Sequence, residues 1–148
     1  VKIWIDFVTS RIIPSFHRFL QYQSKSESDP GLEKVRNDFL EQIKQFTQEM
    51  DVEGPYFLGK DVSLIDLVIA PWALRLWVFD HFKGGLKMPK REAWVHRYEK
   101  WLGAVEKRDS VINSTSEREH YLPIYQRYAD DVAQSELAKA TREGRGVP

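Results

Sequence analysis

Apolar residues recur at spacings of three and four over most of the chain, the period of a helix that buries one face. Over residues 1 to about 23 the stripe runs Val1, Ile5, Val8, Ile12, Phe16 and Phe19. Ile3, Phe7 and Pro14 point roughly the other way, so this helix must bury two sides or line a cavity with one. Pro14 removes a backbone donor inside the pattern and predicts a kink nearby. Residues 24–31 (SKSESDPG) are a polar break, in which Asp29-Pro30 reads as an N-cap followed by the first helical position. A second helix carries Leu32, Val35, Phe39, Ile43, Phe46 and Met50, and Gly54-Pro55 ends it. Residues 56–59 (YFLG) form a short apolar loop.

The stretch 62–72 (VSLIDLVIAPW) carries the strongest local signal. Ser63 and Asp66 have capping-box spacing, with Asp in place of the more usual Glu. Val62 and Leu67 stand at the two hydrophobic-staple positions, and Asp66 puts negative charge at the positive end of the helix dipole. The helix then reads as apolar nearly all round to Phe82, which predicts a central buried helix, with a bend at Pro71 and an end at Gly84-Gly85. Pro89 precedes a fourth helix with Trp94, Tyr98, Trp101 and Val105 at helical spacing. Asp109 or Ser110 can cap a short turn through Ile112. A last helix is predicted from about 116 to about 140, with Tyr121, Tyr125, Tyr128 and Val132 on one stripe. No strand pattern and no internal repeat stand out. The expected architecture is an all-α bundle of about five to six helices.

Composition narrows the function. The 148 residues fit one domain. Lys+Arg and Asp+Glu both number 22, so the net charge is zero, which argues against a nucleic-acid grip. The longest apolar run, 67–74, is too short to span a bilayer. No cysteine occurs, which removes disulfide, zinc-thiolate and cysteine-nucleophile chemistry from these residues and fits a reducing compartment. The histidines at 17, 81, 96 and 120 have no metal-ligand spacing, and no phosphate-binding glycine motif is present. Asp80-His81 has no serine in a supporting context. The first residue is Val1 and the helical pattern already runs there, so a preceding segment is expected.

The segment from Gly54 to Leu76 (GPYFLGKDVSLIDLVIAPWALRL) resembles the C-terminal domain of a cytosolic glutathione transferase. The S-x-x-D box after its G-x-x-x-S lead is similar to that family's folding motif at the start of its central helix. The A-P-W-x-x-R continuation resembles the omega class, as do stretches between Val105 and Tyr128 (EKRDSV, TSEREHY, QRY). The tail AQSELAKATREGRG departs from animal omega enzymes and is similar to fungal relatives.

The resemblance implies that residues 1–148 are the all-α, C-terminal-like domain of a two-domain protein. The other domain would be thioredoxin-like, would bind glutathione as co-substrate and, in the omega class, would supply a catalytic cysteine. The implied chemistry is thiol transfer or dehydroascorbate reduction. This domain would form the wall of a pocket for a small-molecule electrophile and part of a homodimer interface, in a cytoplasmic setting. Ser63 and Asp66 are structural on this reading. The family's pocket uses one face of the first helix, which nominates Phe7, Arg11, Pro14 and His17. The alternatives are core or dimer interface for Phe7 and a solvated surface for His17. Trp72 and Arg75 match the omega pocket region, against core packing for Trp72 and a surface ion pair for Arg75. His120 falls where animal omega enzymes place a pocket tryptophan, and Tyr121 and Tyr125 could replace that aromatic surface or simply pack. A non-catalytic binding or regulatory module of the same fold is the alternative function. A free-standing helical interaction protein is a third.

Overall fold

The computed structural model describes residues 2–26 and 28–148. Val1, at the head of the first stripe, and Glu27, in the polar break, lie outside the described residues. Helix α1 (Lys2–Phe7), a π-helical turn (Val8–Ile12) and α2 (Ile13–Gln21) make one continuous rod. Phe7, Ile12 and Ile13 all keep right-handed helical dihedrals. Pro14 explains the turn. It has no N–H to continue the ladder, and the N–H of Ile13 reaches back five residues to the carbonyl of Val8.

Helix α3 (Pro30–Gln48) starts as the sequence predicts, with the Asp29 carboxylate accepting from Gly31 N–H at 2.9 Å. It packs along α2. Phe16, Phe19, Phe39 and Phe79 meet in the core, with Phe19 and Phe79 stacked at 4.1 Å between ring centroids. Burying rings of this size supplies much of the apolar drive for so small a bundle.

Helix α4 (Leu64–Ala73) begins at the capping box, and both halves of the box are formed. Asp66 does more than cap. Its Oδ2 accepts from Ser63 N–H at 2.8 Å and from the Ser63 hydroxyl at 3.2 Å. Its Oδ1 accepts from Phe57 N–H at 2.9 Å and from the Trp101 indole N–H at 2.8 Å. One buried carboxylate thus joins the 56–59 loop, the start of α4 and helix α6 (Ala93–Glu106). Ser63→Ala removes only the weaker half of the box. We expect it to cost about 1 kcal/mol in urea unfolding, and an unchanged midpoint would show that the hydroxyl contributes nothing.

Three expectations are corrected. The helix from 64 does not run unbroken to Phe82. It ends at Ala73 and restarts as α5 (Trp77–Phe82), with an i→i+3 turn between. It is also not buried all round: Leu64 is 61% and Leu67 43% exposed. After α6 and the short α7 (Asp109–Ser114), the long last helix is divided into α8 (Arg118–Ala129) and α9 (Glu136–Arg142). Asp131 sits in the left-handed region at φ 57°, and Val132 N–H returns to the carbonyl of Arg127, a Schellman-type end made without glycine. Ser135 then caps α9 through Ala138 N–H. This division adds a helix to the number expected. No strand occurs among the described residues.

Candidate functional site

Pro71 positions the most conspicuous charged group. The i→i+3 turn after Ala73 carries Arg75, whose N–H bonds to the carbonyl of Trp72 at 3.0 Å. There the Arg75 side chain leaves the helix axis and reaches α8. Its guanidinium lies 4.6 Å from the Tyr121 ring centroid, with Nη2 donating to the Tyr121 hydroxyl at 3.4 Å. No carboxylate pairs with Arg75 among the described residues. A half-buried guanidinium held by aromatic faces is a stable arrangement, because the ring quadrupole replaces part of the lost hydration.

The stripe on α8 continues the wall. Tyr121, Tyr125 and Tyr128 follow one another at 6.2 Å between successive ring centroids. The Tyr121 hydroxyl also accepts from Ser116 N–H at 3.0 Å. That bond, followed by Arg75, pulls its pKa below the ordinary phenol value. Burial pushes Tyr125 up instead. Burial works to lower the pKa of Arg75, but the hydrogen bond that it donates to Tyr121 and the phenols around it outweigh that, and the net shift is upward.

His17 closes the inner edge. Its ring lies 5.4 Å from both Trp72 and Tyr128, and Phe16 lies 5.4 Å from Trp72. His17 is 2% exposed and Nδ1 stands 3.0 Å from the carbonyl of Ile13, so Nδ1–H is the donor. Burial lowers its pKa from 6.5 to about 4, which leaves it neutral near pH 7. It is not the solvated surface residue that one reading of the sequence allowed. Trp72 also borders a gap of about 10 Å³ in the core, lined by Ile43, Phe46 and Trp101 and by none of His17, Arg75 or the three α8 tyrosines.

His17, Trp72, Arg75, Tyr121 and Tyr125 therefore meet. Four other nominees do not join them. Phe7 packs on Trp4 at 5.0 Å, and Trp4 in turn lies 6.4 Å from Phe46 and 6.2 Å from Phe57. Arg11 is exposed, Pro14 is buried, and His120 is exposed with Glu119 at 3.9 Å. For Phe7 and Arg11 on the first rod the physical reason is the π turn; Pro14 lies beyond it, on α2 with His17. The π turn inserts one residue between Phe7 and His17 and rotates everything downstream by about 100°. A face drawn with uniform helical spacing cannot survive it. Tyr128 and Phe16 belong to the cluster and were not nominated. Tyr128 was detectable, since it continues the spacing of Tyr121 and Tyr125. The Ser116 contact carries no local signal.

Comparison with known proteins places the chain. No family model matches it. A rice protein (Oryza sativa subsp. japonica) named as probable glutathione S-transferase DHAR1, cytosolic, is 33% identical over 116 residues, covering 78% of this chain and 50% of the relative. The crystal structure of glutathione transferase Omega 3C from Trametes versicolor superposes with a TM-score of 0.70 at 34% identity, over 90% of this chain and 53% of that one. The chain spans about half the length of each protein it matches. It is homologous to cytosolic glutathione transferases, an omega-class member among them, and has the all-α fold of that family's C-terminal domain.

Proposed function

We propose that this chain is the electrophile-binding half of a glutathione-dependent enzyme of the omega or DHAR type, acting with a thioredoxin-like domain that holds glutathione and the reactive thiol. The observation that carries the reading is Arg75, a cation without a carboxylate partner among the described residues, set 4.6 Å from the Tyr121 ring in an aromatic wall. In thiol transfer, a cysteine thiolate attacks the glutathionyl sulfur of a mixed disulfide, the S–S bond breaks, and the departing sulfur takes the electron pair as a thiolate. Glutathione thiolate then attacks the new enzyme disulfide, releasing glutathione disulfide and restoring the cysteine thiolate. No cysteine is available in these residues, so their work is binding and electrostatics. Trp72, Tyr121 and Tyr125 offer flat apolar surface to the electrophile. Arg75 stabilises negative charge on the leaving group, and the Tyr121 hydroxyl, tethered by Ser116, keeps the guanidinium in place.

Ile3 on α1 and Leu64 and Leu67 on the adjoining α4 are exposed apolar side chains, which a contact with a second domain would cover. Homodimerisation, which the family resemblance implies, and a cytosolic setting, as the rice relative's name has it, are part of the same proposal.

The test is glutathione-dependent reduction of dehydroascorbate and of a glutathionyl mixed disulfide by the full-length gene product. Arg75→Gln should lower kcat/KM about 100-fold, the scale of losing one charge-stabilising donor, with little change in the unfolding midpoint. Unaltered kcat/KM would remove Arg75 from the site. Retention on immobilised glutathione without turnover would favour the non-catalytic module.

A further inference from the structure

Two cations are buried far from the arginine–tyrosine wall. Arg36 on α3 and Lys83 at the end of α5 are 6% and 9% exposed. A charge is rarely buried unless it is paired, yet neither forms an ion pair among the described residues. Carbonyl groups hold them instead. Arg36 Nε donates to the carbonyl of Gly85 at 3.0 Å and Nη2 to that of Lys83 at 2.9 Å. Lys83 Nζ donates to the carbonyl of Tyr22 at 2.6 Å, at the end of α2. Carbonyls satisfy the hydrogen bonds and leave both net charges standing. Asp130 and Asp131 act on Lys83 from farther off, and Asp131 is engaged by Arg142 at 3.4 Å. Burial outweighs the two carboxylates and lowers the Lys83 pKa.

Both cations line one notch of about 240 Å³, between α3, the end of α5 and the polar break after α2. Lys87 joins them from the turn after α5 and Ser24 from the polar break, and no carboxylate lines the notch among the described residues. The notch offers donors to its contents. Arg36 Nη1 has no hydrogen-bond partner among the described residues, and it is not one of the buried atoms stranded without one, so it keeps surface open to water. The bonds from Nε and Nη2 fix the plane of the guanidinium, which leaves Nη1 as a preset donor. Gly84, exposed at φ 72°, has open space where a side chain would stand. Its N–H makes no hydrogen bond among the described residues. Lys87 holds a left-handed φ of 55°, a conformation uncommon for a residue other than glycine.

We propose that this notch binds the phosphate group of a small phosphate monoester. Arg36 Nη1 and the Gly84 N–H donate to its oxygens, Lys83 and Lys87 supply charge, and the Ser24 hydroxyl stands at the rim. A dianion there supplies the countercharge that the two buried cations lack. The volume falls below the usual range for a drug-sized ligand, so the notch suits a compact charged group and not a flat aromatic body. It shares no residue with the Arg75 wall and needs no glutathione, so this proposal and the proposed function fail separately.

Methyl phosphate tests this against methyl sulfate, which has the same outline and a single charge. The titration is made at about pH 8, above the second phosphate pKa of about 6. Binding is followed in the full-length gene product through the amide resonances of Gly84 and Gly85, with and without saturating glutathione. Methyl phosphate should shift them saturably in both conditions and bind about 5-fold or more tighter than methyl sulfate. Lys87→Glu, at an exposed side chain, should weaken methyl phosphate about 10-fold or more. Lys60→Glu makes the same charge change outside the notch and should leave affinity within about 2-fold. Arg36→Gln should weaken binding about 10- to 100-fold, the worth of a hydrogen bond to a charged group. If that variant does not fold, the comparison of Lys87→Glu with Lys60→Glu decides alone. A shift that never saturates would mean an adventitious ion only and would overturn the proposal. So would equal affinity for the two anions, equal losses in Lys87→Glu and Lys60→Glu, or a shift that glutathione abolishes.

Discussion

Asp66→Ala is expected to lower the stability of this domain by about 4 kcal/mol, a loss of the size seen when a buried hydrogen-bonded network is broken. The reason is the number of donors that depend on it. The N–H groups of Ser63 and Phe57, the Ser63 hydroxyl and the Trp101 indole all donate to this one carboxylate. Alanine leaves the buried ones without partners, and each stranded group costs about 1–3 kcal/mol. With a urea slope of about 2 kcal/mol per molar for a domain of this size, the midpoint should fall by about 2 M. Asp66→Asn should lie between wild type and Asp66→Ala. An amide has one acceptor oxygen, so it can serve the Phe57 and Trp101 pair or the Ser63 pair, and its NH₂ faces donors on the other side. A midpoint for Asp66→Ala within 0.3 M or so of wild type would refute the network's importance.

Acidification should destabilise the protein through His17. Its pKa is 6.5 when unfolded and about 4 when folded. Above pH 6.5 neither state binds the proton and the full stability is present. Between pH 6.5 and 4 the unfolded chain takes up a proton that the folded protein refuses, so stability falls as pH falls. Below about 4 the folded state binds it too, and this contribution levels off. The gap corresponds to about 3 kcal/mol at 1.4 kcal/mol per pH unit. Urea midpoints from pH 7.5 to 4 should show this slope. A His17→Gln variant keeps a donor for the carbonyl of Ile13 but cannot titrate, and should lose that part of the slope. Parallel pH profiles for the two proteins would show that His17 is solvated and not buried.

The helices were legible because each rests on spacing within the chain. The stripes from Leu32 to Phe46 and from Trp94 to Val105 are the buried faces of α3 and α6. Caps were legible for the same reason, since Asp29, Ser63 and Asp66 act on backbone groups within three residues. The breaks were less so. Pro14 and Pro71 announce a disturbance but not its form, which is a π turn in one case and an i→i+3 turn in the other. Asp131 announces nothing, because a left-handed helix end at aspartate lacks the usual glycine signal.

The candidate site divides along the same line. Tyr121 and Tyr125 share a face by simple periodicity, and Arg75 is conspicuous as a charge in an apolar helix. Phe7 and Arg11 were placed with His17 on the assumption of uniform spacing, which the π turn defeats.

Sequence alone thus determined the all-α class, most helix starts and the box at Ser63 and Asp66, because these depend on backbone groups a turn or less away. Only the tertiary structure decided that Asp66 receives the Trp101 indole, that Arg75 meets Tyr121 from another helix, that His17 is kept neutral and that Tyr98 is left without a partner. Each of these is set by which distant side chains exclude water from the group or replace it. Desolvation belongs to the packed arrangement and leaves no mark on local spacing.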